Sequence, residues 1–386
     1  MTERLTQLLR EETDHLDIPP VAADAALTRG RRLRRRRTAA LVGAAAAVLA
    51  VVGGVAVVAP GDDDRPAEVA TGGGTDELAF AIGNVVYTGA GAQHVTIGDT
   101  SVKSLYYTSA GVLVRQGDNP YSDGGGPQRF SLVEADGTVR PISVVTEETV
   151  HATDPAQPYL AYAETHDGRT DVVVWNLRTD AEEARVPLPR GLRWGGWPAP
   201  PVALSGDIVY VGTEDTARTV NWRTGEVAAT DAIPPGFPEV HGGRAAEDGT
   251  VVDAATGEVL LEVGGEDTSL ELSPDGRYAV VSAWTDDRPT EVYDVATGSH
   301  VEVPTVLRGY GWSADGRLFT VDGHELTTCS PVSGDCTSRT VDLVKEPQDS
   351  EGVMMDCDEH TGECEPAGPA PDFSGELKLG GLTYES

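Results

Sequence analysis

The chain has 386 residues, of which 39% are hydrophobic, and it contains 45 glycines and 25 prolines. A chain of this length forms either two average domains or one large β domain, and its many glycines and prolines predict short strands joined by frequent turns. The formal net charge of −33 argues against nucleic acid as a partner, because nucleic-acid binding depends on clustered cations that neutralise phosphates.

The charge is distributed unevenly along the chain. Residues 1–38 contain nine arginines and six acidic residues, and residues 39–59 contain no charged residue. The first segment therefore carries +3, and the chain after residue 59 carries −36. We expect this acidic surface mainly to keep the protein soluble, with attraction of cationic ligands or divalent ions as the alternative.

Residues 1–38 are predicted to form a short cytoplasmic tail with helical character. Its leucines recur on roughly one helix face, and Ile18-Pro19-Pro20 ends that pattern. A segment of this size cannot bury a core of its own. It is therefore either a docking peptide for a cytosolic partner or an orientation tail without a partner.

Residues 39–59 consist of Ala, Val, Leu and Gly, and predict a single transmembrane helix. As a helix they would span about 31 Å, which matches the hydrocarbon core of a bilayer. Basic residues precede this segment and Asp62-Asp63-Asp64 follow it, so the positive-inside rule places the N-terminus in the cytoplasm and the remainder outside. The orienting residues, which also suit anionic inner-leaflet lipids, are Arg31, Arg32, Arg34, Arg35, Arg36 and Arg37. A cleaved signal peptide or a twin-arginine export signal is the alternative.

The N-terminal pattern of an acidic amphipathic start, prolines and an arginine run resembles that of membrane-anchored regulators of high-G+C Gram-positive bacteria. Some of these regulators accompany extracytoplasmic-function sigma factors, so the resemblance implies a sigma factor as a candidate cytosolic partner. The tail departs from zinc-type anti-sigma domains, because His15 is its only histidine and it has no cysteine.

Residues 60–76 have the composition of a flexible linker, and residues 77–345 contain two recurring kinds of turn. The S-x-D-G-R kind occurs twice, 40 residues apart, and has shorter relatives: Ser273–Arg277, Ser313–Arg317, Ser205-Gly206-Asp207 and Glu247-Asp248-Gly249. The second kind follows a strand that ends in Asn or Asp: Asn176–Asp180, Asn221–Gly225, Asp253–Gly257 and Asp294–Gly298. An Asx side chain can bond its own downstream backbone, and glycine accepts positive φ, as tight turns require. Two interleaved series with a period near 40 predict a four-stranded repeat.

These motifs resemble those of WD-repeat and quinoprotein-type β-propellers over roughly 70% of the chain. The resemblance implies an all-β propeller of about seven four-stranded blades. Closure of the ring is expected to use a strand within residues 376–384. The chain departs from the family pattern, because Val174-Trp175-Asn176 replaces a strict Trp-Asp blade ending and the Thr-Gly turns do not lead to a quinone-binding tryptophan. No cofactor is therefore expected.

The six tryptophans are expected to lie mainly in the core between blades. Trp194 and Trp197 are the exception, because they flank two glycines in a predicted loop. We therefore regard these two as a candidate ligand platform.

Four cysteines form two local pairs, each with six intervening residues: Cys329 with Cys336, and Cys357 with Cys364. An even number of cysteines outside the membrane favours disulfides, and we expect the two local bridges. The second pair lies in the acidic C-terminal segment, residues 346–386, which has no core of its own. A zinc site with His360 is the alternative, although zinc motifs usually place their cysteines two to four residues apart.

The sequence contains no H-E-x-x-H, G-x-S-x-G, phosphate-binding or EF-hand motif. This favours a non-catalytic extracytoplasmic module that binds or senses an unidentified ligand. The alternatives are a regulator that acts through its tail and a propeller enzyme, such as a hydrolase, lyase or quinoprotein, with a site at the channel mouth. A propeller can assemble such a site from loops that are distant in sequence.

Overall fold

The computed structural model describes residues 78–98, 101–121, 126–147, 149–247, 249–264, 269–282, 290–303, 309–345, 347, 355–357, 364–366 and 375–382. The predicted tail, transmembrane segment and linker, with the orienting arginines, lie outside these residues. Within them, no helix is long and apolar enough to cross a membrane.

The described strands form seven four-stranded antiparallel sheets, which we number as blades 1 to 7 in chain order. Within each blade the strands follow one another from the axis to the periphery. Blade 1 is β30 (Leu377–Leu379), β1 (Phe80–Ile82), β2 (Val85–Thr88) and β3 (Gln93–Thr96). Blade 2 is β4 (Ser101–Thr108), β5 (Gly111–Gly117), β6 (Gln128–Val133) and β7 (Val139–Thr146). Blade 3 is β8 (His151–Thr153), β9 (Tyr159–His166), β10 (Arg169–Asn176) and β11 (Ala181–Pro187).

Blades 4 to 7 repeat this order. Blade 4 is β12 (Val202–Ser205), β13 (Ile208–Val211), β14 (Ala217–Asn221) and β15 (Glu226–Thr230). Blade 5 is β16 (Val240–His241), β17 (Arg244–Glu247), β18 (Thr250–Asp253) and β19 (Val259–Glu262). Blade 6 is β20 (Ser269–Leu272), β21 (Tyr278–Ser282), β22 (Thr290–Asp294) and β23 (His300–Val303). Blade 7 is β24 (Gly311–Trp312), β25 (Leu318–Asp322), β26 (Glu325–Cys329) and β27 (Cys336–Thr340). A separate hairpin pairs β28 (Met355–Cys357) with β29 (Cys364–Pro366).

This arrangement confirms the predicted all-β fold with seven four-stranded blades. Seven clusters of buried hydrophobic side chains fill the seven boundaries between neighbouring blades. The sequence produces them because alternate residues of a strand face opposite sides of a sheet. In β20, for example, Leu270 and Leu272 both pack against Val251 and Leu261 of blade 5.

A strand from the C-terminal end closes the ring. In β30, Leu377 and Leu379 pair with Ile82 and Phe80 of β1, so blade 1 combines both ends of the propeller. A closed ring leaves only short, protected strand edges, at the axis and at the periphery. The segment in which a closing strand is expected, residues 376–384, contains β30.

Hydrogen bonds near the axis join every pair of neighbouring blades. They are Gly381 N to Leu105 O (3.1 Å, blades 1 and 2), Ser109 N to Gln157 O (3.1 Å, blades 2 and 3), Gly206 N to Asp154 Oδ2 (2.7 Å, blades 3 and 4), Gly243 N to Ser205 Oγ (2.8 Å, blades 4 and 5), Arg244 Nη1 to Gly276 O (2.7 Å, blades 5 and 6), Tyr310 Oη to Glu271 Oε2 (2.8 Å, blades 6 and 7) and Trp312 N to Gly380 O (2.9 Å, blades 7 and 1). The axial strands are thus connected around the whole ring.

The four predicted Asx turns all join the third and fourth strands of a blade, in blades 3 to 6. In blade 5, Oδ1 of Asp253 accepts hydrogen bonds from the backbone N–H groups of Ala255 (3.0 Å) and Thr256 (2.8 Å). The last turn residue has positive φ, at +73° for Gly257 and +50° for Asp180, which stands at this position in blade 3. The turn chemistry expected from the sequence is therefore present.

One predicted relationship is wrong. The segment Glu247-Asp248-Gly249 is not a relative of the S-x-D-G-R turns, which join the first and second strands of blades 6 and 7. Glu247 instead ends β17 and pairs with Thr250, the first residue of β18, so this stretch of sequence falls between the second and third strands of blade 5. In blade 5 the turn between the first and second strands is Gly242-Gly243. A larger residue does not fit there, because an added Cβ on Gly242 would meet the carbonyl oxygen of Asp275 at 1.9 Å.

Candidate functional site

Cys329 and Cys336 form a disulfide, as predicted. They stand opposite each other where β26 and β27 begin to diverge into their connecting turn. The Ser330 carbonyl accepts a hydrogen bond from Gly334 N (2.9 Å), which repeats in blade 7 the backbone closure made at Asn221, Asp253 and Asp294 in blades 4 to 6. Because this disulfide uses both thiolates, the pair is not available for the alternative zinc site.

The second cysteine pair lies at the inner ends of the β28–β29 hairpin, where Cys357 and Cys364 are directly opposite in the backbone register. His360 lies outside the described residues. The expected bridge between these two cysteines stays a prediction.

The described tryptophans divide between core and loop. Trp222 and Trp312 are buried between blades, whereas Trp194 and Trp197 are partly exposed. The latter two lie in the connection from β11 to β12, where Trp194 Nε1 donates a hydrogen bond to the Trp197 carbonyl oxygen at 2.8 Å. The candidate platform therefore lies in a loop, as expected. The hydrogen bond holds the Nε1 edge of the Trp194 indole against this same loop.

Three polar side chains that no sequence motif marks meet at the axis. Glu239 immediately precedes β16, Glu271 lies within β20, and Tyr310 immediately precedes β24. They therefore come from the axial strands, or the residues just before them, of three successive blades, 5, 6 and 7. We refer to Glu239, Glu271 and Tyr310 as the axial carboxyl site.

Strand alternation explains why these side chains converge. Leu270 and Leu272 face blade 5, so Glu271 between them faces blade 7, where its Oε2 accepts the Tyr310 hydroxyl at 2.8 Å. Val240 packs against blade 4, which turns the adjacent Glu239 towards blade 6. There the backbone N–H of Leu272 lies near the Glu239 carboxylate and favours its ionised form.

The electrostatics of the site follow from its burial. Burial raises the pKa of Glu239 to about 7, the charge of Glu271 adds to the rise, and the Leu272 N–H opposes it. Burial also raises the pKa of Glu271, against the effect of the Tyr310 hydroxyl. The pKa of Tyr310 lies well above its usual range, because burial and the two nearby carboxylates disfavour a phenolate. Tyr310 thus stays a hydrogen-bond donor, and near neutral pH the carboxyl pair can hold or release a proton.

One oxygen of each carboxyl group lacks a counterpart. Oε1 of Glu239 and Oε1 of Glu271 are shielded from solvent and have no hydrogen-bond partner among the described residues. Buried polar atoms are normally paired, and an unpaired acceptor is costly. The arrangement can therefore accept N–H or O–H donors from a ligand, or share one proton between the two carboxyl groups.

A second polar cluster lies between blades 2 and 3. Arg115 Nε donates a hydrogen bond to Gln128 Oε1. The rings of Tyr106 and Phe130 each pack edge-on against the His151 ring, with ring centroids 5.0 Å apart. Burial, and secondly the charge of Arg115, hold the pKa of His151 well below its usual range. Buried polar clusters of this kind commonly hold ordered water. Because its residues come from both blades, we interpret this cluster as part of the packing between blades 2 and 3.

One member of the axial carboxyl site leaves a signal in the sequence. In Leu270-Glu271-Leu272 a carboxylate interrupts an apolar strand just before an S-x-D-G-R turn, at a position where an interior residue is expected. Glu239 and Tyr310 carry no comparable signal, because each stands beside a strand of only two residues. Their meeting follows from ring geometry and not from spacing.

No family model matches the chain, and no curated relative does. Among solved structures, AztD from Citrobacter koseri is 11% identical, with 81% of this chain and 100% of that chain covered and a TM-score of 0.45. PorZ of Porphyromonas gingivalis is 15% identical, with 73% and 39% covered and a TM-score of 0.46. TolB from Acinetobacter baumannii is 13% identical, with 68% and 63% covered and a TM-score of 0.37. This chain covers less than two thirds of the PorZ and TolB chains. At these identities the similarities concern the fold and assign no ligand, substrate or partner to this chain.

Proposed function

We propose that this chain is a membrane-tethered extracytoplasmic β-propeller that binds a ligand without chemical conversion, through the axial carboxyl site. The observation that carries the proposal is the convergence of Glu239, Glu271 and Tyr310 from three blades, with two shielded carboxylate oxygens left without partners among the described residues. A rigid closed ring suits such a site, because preorganised polar groups lower the cost of ordering on binding.

The tether is supported by the sequence. Residues 39–59 are uncharged, the arginine cluster precedes them, and the acidic segment follows them. Protease treatment of intact cells tests it: the propeller should be degraded while residues 1–38 stay protected. A propeller that resists protease until the cells are lysed would contradict this topology.

The binding role is tested by thermal unfolding of the full-length chain in mild detergent, with a panel of amines, guanidines, carboxylates and sugars. A ligand of the site should raise the midpoint for the wild type and lose that effect in Glu271→Gln. The matched control Glu325→Gln changes an exposed carboxylate on blade 7 and should leave the effect intact. If every stabilising compound acts equally on all three proteins, the axial carboxyl site is not a binding site.

A second candidate function is acid–base hydrolysis at the same carboxyl pair. It is favoured by the pKa of Glu239, which burial raises to about 7, beside a second carboxyl group. Paired carboxyl groups in different protonation states can serve as general acid and base. Turnover of glycoside, ester or peptide substrates that is lost in both Glu239→Gln and Glu271→Gln would establish this function in place of simple binding.

A further inference from the structure

A ligand that completes the axial carboxyl site would be rich in hydrogen-bond donors. Both unpartnered atoms, Oε1 of Glu239 and Oε1 of Glu271, are acceptors when the carboxyl groups are ionised. Oε2 of Glu271 is already engaged by the Tyr310 hydroxyl at 2.8 Å, and the nearby Leu272 N–H favours the ionised form of Glu239. A ligand group that donates to two separate oxygens at once would complete the site.

The same group is expected to be positively charged. No ion pair involves Glu239 or Glu271 among the described residues, so no protein cation there offsets their charge when they ionise. Opposite charge within a few ångströms favours the ionised carboxylate and offsets the cost of its burial. The chain after residue 59 carries −36, and this field attracts cations towards the site.

The donor set favours an organic cation over a metal ion. The part of the chain that the structure describes contains no group of three His, Cys, Asp or Glu side chains placed to hold a metal. Two carboxyl groups and a neutral phenol provide fewer ligands than calcium or zinc requires. A guanidinium group is planar, permanently charged and carries five N–H donors, so it can bond to two carboxylates together.

We propose that the axial carboxyl site binds the guanidinium group of a small molecule or peptide side chain, held by Oε1 of Glu239 and Oε1 of Glu271. This inference rests on the proposed binding function and specifies its ligand class. Tyr310 acts as a positioning residue, because its hydroxyl holds Oε2 of Glu271 and leaves Oε1 for the ligand.

Binding should be linked to proton release. Because burial raises the pKa of Glu239 to about 7, this group is largely protonated at pH 6, and a protonated carboxyl group does not attract a cation. Affinity should therefore be about ten-fold weaker at pH 6 than at pH 8.

Isothermal titration of the full-length chain with methylguanidinium tests the proposal. The control probe is tetramethylammonium, which has the same charge but no N–H donor and so reports charge attraction alone. We expect saturable binding of methylguanidinium that is at least ten-fold tighter than that of tetramethylammonium, and that weakens ten-fold or more in Glu239→Gln and in Glu271→Gln. Tyr310→Phe should weaken binding less, and Glu325→Gln should not change it.

Four outcomes would overturn the proposal. Equal binding of both cations would show general attraction to an acidic surface, and binding of calcium without methylguanidinium would show a metal site. Methylguanidinium affinity that is unchanged in Glu239→Gln and Glu271→Gln, both folded by circular dichroism, would show that the carboxyl groups only share a proton. If the compound panel yields another ligand that depends on Glu271 while methylguanidinium fails, the guanidinium assignment is wrong and the binding function stands.

Discussion

The Tyr310 hydroxyl donates a 2.8 Å hydrogen bond to Oε2 of Glu271 across the boundary between blades 7 and 6. The two residues are 39 positions apart, about one blade repeat, and both belong to the axial part of the propeller. The bond links two blades and also orients a carboxylate whose other oxygen is free of protein donors among the described residues. The same hydrogen bond therefore joins blades 6 and 7 and helps to form the axial carboxyl site.

Glu239→Gln should increase stability at alkaline pH. Burial raises the pKa of Glu239 from 4.5 to about 7 in the folded state, so the folded state binds this proton more tightly than the unfolded state does. The resulting stabilisation is fully present below pH 4.5 and is lost as the pH rises through 7. The amide keeps the size of the side chain and an acceptor oxygen but cannot ionise. We expect equal stability of the two proteins at pH 4.5 and a gain of about 1–3 kcal/mol for the variant at pH 8. Urea unfolding at the two pH values measures this difference in stability. Urea is used because guanidinium chloride would supply the proposed ligand. An equal difference at both pH values would contradict the raised pKa.

Gly380→Ala should destabilise the closure of the ring. An added Cβ would lie 2.5 Å from the Ala79 carbonyl oxygen and 2.8 Å from the Tyr107 hydroxyl, beside the β30–β1 pairing. Overpacking of this kind costs about 1–3 kcal/mol. The control is Gly264→Ala, where no atom lies within 4 Å of the added Cβ. Thermal unfolding midpoints of the two variants should differ, and equal midpoints would show that this contact relaxes freely.

Replacing both cysteines of the blade 7 disulfide, Cys329→Ala with Cys336→Ala, should lower stability by about 2–3 kcal/mol through the lost constraint on the unfolded chain. Wild-type protein unfolded in reducing agent should lose at least as much stability, because reduction also removes the bridge expected between Cys357 and Cys364. If the reduced wild type is as stable as the oxidised protein, the β26–β27 turn is held by its hydrogen bonds alone.

Asp253→Ala should destabilise the turn between β18 and β19. Oδ1 of Asp253 accepts hydrogen bonds from Ala255 N, Thr256 N and Thr256 Oγ1 at 2.8–3.0 Å. Their loss should cost about 1–3 kcal/mol, because each of the three bonds contributes roughly 1 kcal/mol or somewhat less in an exposed turn. Asp253→Asn should restore most of it, since Asn176 and Asn221 fill this position in blades 3 and 4. Chemical denaturation of the three proteins provides the measurement, and failure of the Asn variant to recover would contradict the Asx role.

The recurring turns made the repeat predictable, because their chemistry is local. An Asx acceptor and a following glycine lie within five residues, as in Asp253–Gly257, and they specify the same turn wherever they occur. The disulfide between Cys329 and Cys336 was predictable for a related reason, since the turn between its strands is short and local.

The axial carboxyl site was not predictable in this way. It depends on which blades become neighbours and on which side of β16 and β20 each carboxylate faces. The alternation of Leu270 and Leu272 fixes the direction of Glu271, but only the assembled ring places Tyr310 opposite it. The wrong prediction for the turn at 247–249 has a similar cause, because an Asp-Gly pair serves several turn types and does not report which strands it joins.

Carboxyl footprinting tests the central claim most directly. The full-length chain is treated with a carbodiimide and glycinamide, with and without saturating methylguanidinium or another stabilising compound from the panel, and labelling is read by peptide mass spectrometry. We expect ligand to reduce labelling of Glu239 and Glu271 together, and to leave Glu325 unchanged. Labelling of Glu239 and Glu271 that is the same with and without every stabilising ligand would show that binding occurs elsewhere on the propeller.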